Sequence, residues 1–244
     1  MGNEYYSPGE HRAAQVNRLF AAIATRYDLV NDIQSLGAHR RWKRRVAKLA
    51  NLKPGDRALD VCCGTGDISF ALAKSGAVVT GLDFSAEMLA VAARRNQKSG
   101  DVSPTFIQGD AQKTPFADDT FDSVTVGFGL RNLASWEAGL DEMVRVAKPG
   151  ARLIVLDFGK PDNSLWRWIY FSYLRLLVPV LGLLVCGKPS AYAYIIESLK
   201  NYPAQRGVEE RMKRLGLAHI RTDNFIGGAM SINYAEKPAG PQSV

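Results

Sequence analysis

The stretch Asp60-Val61-Cys62-Cys63-Gly64-Thr65-Gly66-Asp67, with Arg57-Ala58-Leu59 ahead of it, decides the fold. Arg57 to Cys62 reads as a short apolar strand of the kind buried on both faces. A G-x-G turn leads from it into a helix over Asp67 to Lys74, which Gly76 closes. Gly64 and Gly66 lack a Cβ where a ligand must approach the backbone, and they permit the tight turn.

Working outward, the same strand–helix alternation repeats. Ala77 to Leu82 is a second strand ending at Asp83, and Ser85 is an N-cap for the helix carrying Met88, Leu89, Ala92 and Ala93. Thr105 to Gln108 is a third strand and Phe121 to Val126 a fourth. Ser135 caps a helix with Leu140, Met143, Val144 and Ala147 on one face, Lys148-Pro149-Gly150 stops it, and Arg152 to Phe158 is a fifth strand. Such alternation implies an α/β fold: parallel βαβ units in an open sheet with helices on both faces. Upstream, His11 to Tyr27 and about Arg40 to Ala50 have helical periodicity, and Lys53-Pro54-Gly55-Asp56 opens the α/β region. Downstream come an apolar run from Leu165 to Cys186, a charged helix over Val208 to Leu215, and two strands, His219 to Ile226 and Ala229 to Glu236, joined at Gly227-Gly228. The expected divisions are a helical cap over 1–52, a cofactor-binding core over 53–160, an apolar helical insertion over 161–204, a helix and hairpin over 205–237 that complete the sheet, and a disordered tail over 238–244.

Open α/β sheets bind ligands beyond the carboxyl ends of their strands. The residues there are Asp60 and Gly64 to Gly66 after the first strand, Asp83 and Phe84 after the second, and Gly109-Asp110-Ala111 after the third. Asp83, 17 residues beyond Gly66, is placed to accept from ribose hydroxyls, and Asp110 to accept from an adenine amino group. A dinucleotide fingerprint wants a third glycine where Ser69 stands, and Asp67 at the helix start would oppose a pyrophosphate. Asp67 suits a cationic ligand instead, an aminoacyl ammonium or a sulfonium, which favours S-adenosyl-L-methionine over NAD.

The formal charge is +7, with 31 Lys and Arg against 24 Asp and Glu. Up to Arg57 there are eleven basic and five acidic residues, so nearly the whole excess lies in the first quarter. A basic patch attracts nucleic acid, anionic lipid or a phosphorylated substrate, or is simply a solvated face. The three cysteines form no CxxC pair or zinc-spaced cluster, which excludes a disulfide framework and leaves no metal expected. A reducing cytoplasm fits that usage, and no apolar secretory segment opens the chain.

The chain resembles the UbiE/MenG family of ubiquinone and menaquinone C-methyltransferases. The residues that carry the resemblance are Tyr27-Asp28-Leu29-Val30-Asn31-Asp32, Ser35-Leu36-Gly37-Ala38-His39-Arg40-Arg41-Trp42-Lys43, Asp60 to Asp67, Gly127-Phe128-Gly129-Leu130-Arg131-Asn132 and Arg145 to Gly150, with Ala193 to Pro203 and Gly227-Gly228 later. The resemblance implies a seven-stranded class I methyltransferase fold and cofactor contacts at Thr65, Asp83, Asp110, Ala111 and Gly127. Two departures stand out. Gly127 replaces a serine common in that family, and Ala151 replaces a second glycine after Gly150.

Methylating a ring carbon requires alignment with an already activated methyl and help in deprotonating the quinol. Arg131 and Asn132 follow the fourth strand and are expected to face the methyl. Arg131 would stabilise a phenolate or, on the plainer reading, pair with a carboxylate; Asn132 would orient a hydroxyl or water. His39 titrates near neutrality and is a candidate proton relay, and Tyr27 and Asp28 are candidates for a lid. The apolar run Leu165 to Cys186 contains Arg167, Arg175 and Pro179, which argue against a spanning helix, and no Asp or Glu stands between Asp162 and Glu197. It reads as a greasy cover over the substrate site that touches the inner face of a membrane, or as a buried core helix. The partner expected is a lipid-soluble quinol, most of all demethylmenaquinol, with a polyprenyl benzoquinol as the alternative. A second copy of the chain stays open. Nucleic acid is not expected, since no RNA-binding module or aromatic–basic alternation is present. A nucleic-acid methyltransferase and a non-catalytic adenosine-binding scaffold remain the rival readings.

Overall fold

The computed structural model describes residues 37–97, 103–186, 196–199 and 201–239, together with Asp32 and Ser35; for 177–179 and 181–186 only the backbone path is described. The helix expected over His11 to Tyr27, the Tyr27 and Asp28 lid, Ala193-Tyr194 and the end of the tail lie outside the described residues.

The elements follow the alternation read from sequence: α1 (Ala38–Ala50), β1 (Arg57–Val61), α2 (Asp67–Ala73), β2 (Val78–Asp83), α3 (Ala86–Asn96), β3 (Thr105–Gln108), β4 (Phe121–Gly127), a 3-10 turn (Leu130–Asn132), α4 (Trp136–Val146), β5 (Ala147–Phe158), α5 (Ser164–Cys186), α6 (Ala204–Arg214), β6 (Ala218–Phe225) and β7 (Met230–Glu236). Ser85 and Ser135 cap α3 and α4, accepting from the Met88 and Ala138 N–H groups. The seven strands form one sheet in the order β3-β2-β1-β4-β5-β7-β6. The ladders β3-β2-β1-β4-β5 are parallel, and β7 is antiparallel to both β5 and β6. This is the class I methyltransferase arrangement, Rossmann-like and mostly parallel, with helices on both faces.

Strand alternation divides the core in two. Leu59, Val61, Val124, Leu153 and Val155 face one layer with α4, α5 and α6. Ala58, Val79, Ile154, Leu156 and Ile232 face the other with α1 and α2. Each fully buried aliphatic side chain contributes about 1.5–3 kcal/mol, so both faces of the central strands are strongly fastened.

Several boundaries differ from expectation, most by a residue or two, and three are instructive. β1 stops at Val61 because Cys62 turns into the left-handed region with φ 54°. β5 starts at Ala147 rather than Arg152, since the Lys148-Pro149-Gly150 stretch forms an irregularity in the β4–β5 ladder instead of ending α4, which stops at Val146. α6 begins at Ala204, a turn before Val208. The hairpin at Gly227-Gly228 forms as read, with Gly227 at φ 61°.

The direction of α1 positions the site. Its end lies low, where the Ala50 carbonyl accepts from the Arg152 side chain. Higher up, Trp42 packs on Phe225 at the carboxyl end of β6, and the Lys43 ammonium stands over the Phe128 ring just past β4. The first turn of α1 therefore reaches beyond the carboxyl ends of the strands.

Candidate active site

The loops after β1, β2, β3 and β4 enclose a cleft at that edge. Gly64, Asp83, Phe84, Asp110, Ala111, Gly127 and Asn132 all line it, joined by Cys62, Met88, Phe128 and Leu133. The glycine loop is held by backbone bonds. The Cys63 N–H donates to the Leu82 carbonyl and the Gly66 N–H to the Cys63 carbonyl. Gly66 has φ 88°, and a Cβ there would press on Phe70 and Phe106 at 2.9 Å, so glycine is required twice over.

Asp83 ties the first two loops together: its carboxylate accepts from the Gly64 N–H at 2.8 Å and the Ser85 N–H at 2.9 Å. Burial pushes its pKa up, against backbone N–H groups that pull it down. Asp110 accepts from the Gln112 N–H at 2.8 Å, which shapes the turn after β3. Asn132 donates from Nδ2 to the Phe128 carbonyl, while its Oδ1 is buried without a hydrogen-bond partner. An unsatisfied acceptor beside a cleft is a place for a ligand donor.

A smaller recess adjoins the cleft and shares Cys62, Gly64, Gly127 and Phe128 with it; Lys43, Asp60, Cys63, Thr65, Asp67 and Ile68 complete its wall. At Gly127 a Cβ would overlap the tip of Ile68, so here Ile68 occupies the space a serine side chain would need. Gly66 lines neither chamber and acts through the turn.

Two placements differ from the sequence reading. Asp67 is not open to a cationic ligand, because the chain supplies its cations: Lys43 Nζ at 2.7 Å and Arg95 at 2.6 Å. Burial opposes ionisation of Asp67, but the Lys43 charge and the hydrogen bonds outweigh it and bring the pKa down to about 2. The recess carboxyl without a cationic partner of this kind is Asp60, which accepts from the Ser69 hydroxyl at 2.6 Å and the Thr125 hydroxyl at 3.0 Å. Burial pushes it up to about 7.

Arg131 takes the plainer of its two readings geometrically. Its guanidinium donates to Asp157 of β5 at 2.6 Å and to the Phe128 carbonyl at 2.6 Å, and stacks over Phe158. Both members of that pair are almost wholly buried, so it braces the loop after β4 from behind. His39 lies on α1 one turn before Lys43, outside both linings and hydrogen-bonded to Asp32. The residues that sequence reasoning missed are Lys43, Met88, Leu133 and Asp157. Lys43 was visible only as part of a motif, and the others only through the packed fold.

The described residues contain no group of three His, Cys, Asp or Glu that could hold a metal. The Cys62 and Cys63 thiols are pushed up by burial and by the surrounding carboxylates, which keeps them protonated.

The chemistry of these donors fits an adenosyl group bearing a cationic side chain. Asp83 and Asp110 offer carboxylates, Phe84, Met88, Ala111 and Leu133 an apolar slot, and the glycines an open backbone. The comparisons with known proteins agree. The chain is 39% identical over 224 residues to the demethylmenaquinone methyltransferase of Mycobacterium sp. (strain KMS), covering 92% of this chain and 94% of that one. A SAM dependent methyltransferase from Aquifex aeolicus aligns with TM-score 0.57 at 23% identity, over 80% of this chain and 89% of that one. The [4+2]-cyclase SpnF aligns with TM-score 0.63 at 19% identity, over 93% and 97%. At such identities the two structures speak for the fold alone, and a cyclase among them shows that fold does not set the reaction. The protein is a methyltransferase whose cofactor is S-adenosyl-L-methionine. The profile of the ubiE/COQ5 methyltransferase family matches residues 9–237, and the chain belongs to that family.

Proposed function

We propose that this enzyme methylates a ring carbon of a lipid-soluble quinol, converting demethylmenaquinol to menaquinol in menaquinone biosynthesis. The observation that carries the reading is the end-to-end similarity to proteins named demethylmenaquinone methyltransferase. S-adenosyl-L-methionine supplies an activated methyl on a sulfonium. Asp83 with Phe84 would hold its ribose, Asp110 and Ala111 its adenine, and Gly64, Thr65 and Gly127 its chain. Asp60, rather than Asp67, would face its ammonium, and a nearby cation would favour the ionised form of that carboxyl. Asn132 Oδ1 would accept from a ligand hydroxyl or from water. The Arg131–Asp157 pair would fix the loop carrying Asn132, so Arg131 acts by positioning.

The outer face of α5 supports contact with a lipid surface. Tyr170 and Leu174 turn inward, while Leu165, Trp168, Leu176 and Val180 are exposed, with Trp168 and Leu176 69% and 68% accessible. A helix apolar on both faces needs something beyond the protein core to cover it. No helix among the described residues is long and apolar enough to cross a membrane. We therefore read α5 as lying on a membrane surface, near the soluble enzyme's lipid-borne substrate; a second copy of the chain is the other possible cover.

Transfer of labelled methyl from the cofactor to reduced 2-prenyl-1,4-naphthoquinone tests the reaction. Incorporation into the naphthoquinol ring is expected. Labelling of a benzoquinol or of RNA in its place, or cofactor binding with no transfer at all, would overturn the proposal.

A further inference from the structure

We infer that the tip of the β6–β7 hairpin, Phe225 to Gly228, is the point at which the protein enters an anionic lipid surface, flanked by the apolar stripe of α5 on one side and by Arg41 of α1 on the other; this rests on the reading of α5 given above. The tip stands at the same edge as the cleft. β7 is antiparallel to β5, and Met230 at its start pairs with Phe158 at the end of β5. Two tryptophans clamp the tip from the two faces of the sheet. Trp42 of α1 packs on Phe225 with ring centroids 6.1 Å apart, and the Trp166 indole N–H of α5 donates to the Ile226 carbonyl at 2.8 Å. The clamp is close: a Cβ on Gly227 would press on the Trp166 ring.

Ile226 is costly here on two counts. Its backbone is left-handed, with φ 50°, which a β-branched residue disfavours. Its side chain is 54% exposed, which water disfavours. Asparagine would suit both the backbone and the solvent. An isoleucine held this way makes physical sense when an apolar phase receives its side chain.

α5 continues the apolar surface from the tip. At 3.6 residues per turn, Leu165, Trp168, Ile169 and Leu176 fall within an arc of about 100°, opposite Tyr170 and Leu174, which turn into the core. All four are exposed. A tryptophan among aliphatic side chains suits the boundary between headgroups and acyl chains. Arg175, also exposed, borders the stripe.

Charge selects the partner. Arg45 of α1 pairs with Asp223, two residues short of Phe225. Arg41 is one turn nearer the strand ends, beside Trp42, exposed and in no ion pair among the described residues. The acids on either flank are already neutralised, Asp223 by Arg45 and Asp162, just before α5, by Arg206. Uncompensated guanidinium beside an apolar tip complements lipid phosphates. A second copy of the chain would set this cationic patch against like charge.

The test is sedimentation of the full chain with vesicles of phosphatidylcholine alone and of phosphatidylcholine mixed in equal parts with phosphatidylglycerol. Wild type should bind the mixed vesicles, and less so at high salt. Ile226→Asn should bind them about tenfold more weakly, with a melting temperature level or raised, because asparagine tolerates the left-handed backbone. Arg41→Gln should bind the mixed vesicles about fivefold more weakly and leave binding to phosphatidylcholine alone unchanged. Lys74→Gln removes an exposed charge at the end of α2, on the opposite edge of the sheet, and should bind as wild type does. Wild type bound while Ile226→Asn or Arg41→Gln stays within about twofold of it overturns the inference and leaves α5 as the contact. Weaker binding by Ile226→Asn accompanied by a lower melting temperature overturns it too, since the tip would then be structural. A concentration-dependent dimer that Ile226→Asn dissolves assigns the tip to a second copy and overturns the lipid partner. Wild type that binds neither vesicle overturns the reading of α5 itself.

Discussion

Two helices reach the carboxyl edge of the sheet, and they are fastened differently. α1 packs Trp42, Val46 and Leu49 into the core and adds ionic ties: Lys43 to Asp67, His39 and Arg40 to Asp32, Arg45 to Asp223. α5 is tied by packing: Leu174 and Tyr170 sit in the core, and the Tyr170 hydroxyl donates to the Ala229 carbonyl. Its other face carries Leu165, Trp168 and Leu176 outward. The difference teaches a division of labour. Ionic ties set individual atoms against a polar cofactor, whereas an apolar helix offers surface without direction, which suits a greasy substrate.

The contrast can be broken most directly at Leu174, 2% exposed. Leu174→Ala should destabilise the fold by about 2–5 kcal/mol in denaturant unfolding; a loss below about 1 kcal/mol would mean that packing does not hold α5. Next in size is Asp67→Asn, which leaves a buried ammonium without its carboxylate. A cost of about 2 kcal/mol is expected, together with weaker S-adenosylhomocysteine binding by calorimetry, and equal affinity would disconnect α1 from the recess.

Acidity sharpens the same comparison. Asp67 is lowered to about 2 in the folded protein, so its contribution is present above the ordinary carboxylate pKa and disappears as pH falls towards 2. Asp60 is raised to about 7, so it acts in the other sense: the folded state binds the proton more tightly, and stability declines as pH rises from about 4 to about 7. Melting temperatures across pH should flatten in the acid window for Asp67→Asn and in the 4 to 7 window for Asp60→Asn, relative to wild type. Identical curves would remove both assignments. The smallest expected stability change is at Trp168, where Trp168→Gln should stay within about 0.5 kcal/mol. The same variant should bind anionic vesicles markedly less in sedimentation, and undiminished binding would detach α5 from the membrane reading.

The legible parts of the sequence were local. A strand that ends in a glycine turn, a strand that ends in Asp83 and one that ends in Gly109-Asp110 each announce themselves within a few residues, and the cleft assembles from them. What stayed hidden depends on partners far apart in the chain. Asp157 meets Arg131 only because β4 and β5 pair in register, 26 residues apart. Asp67 looked like a ligand for a cation until α1, 24 residues earlier, filled it with Lys43. The early start of β5 escaped for another reason: Lys148-Pro149-Gly150 carries turn residues, and turn propensity yielded to pairing beside β4.

The place of β7 has a consequence for how the chain assembles. It follows β6 in sequence yet lies between β5 and β6 in the sheet. As synthesis proceeds, β6 emerges with no ladder to join, and waits for the strand that will bridge it to the rest. The two strands can zip as a hairpin on the microsecond scale and dock as a ready-made pair along β5. A ribosome stalled before Met230 would thus leave the edge of β5 unpaired, a template for aggregation that vanishes once the final ladder closes.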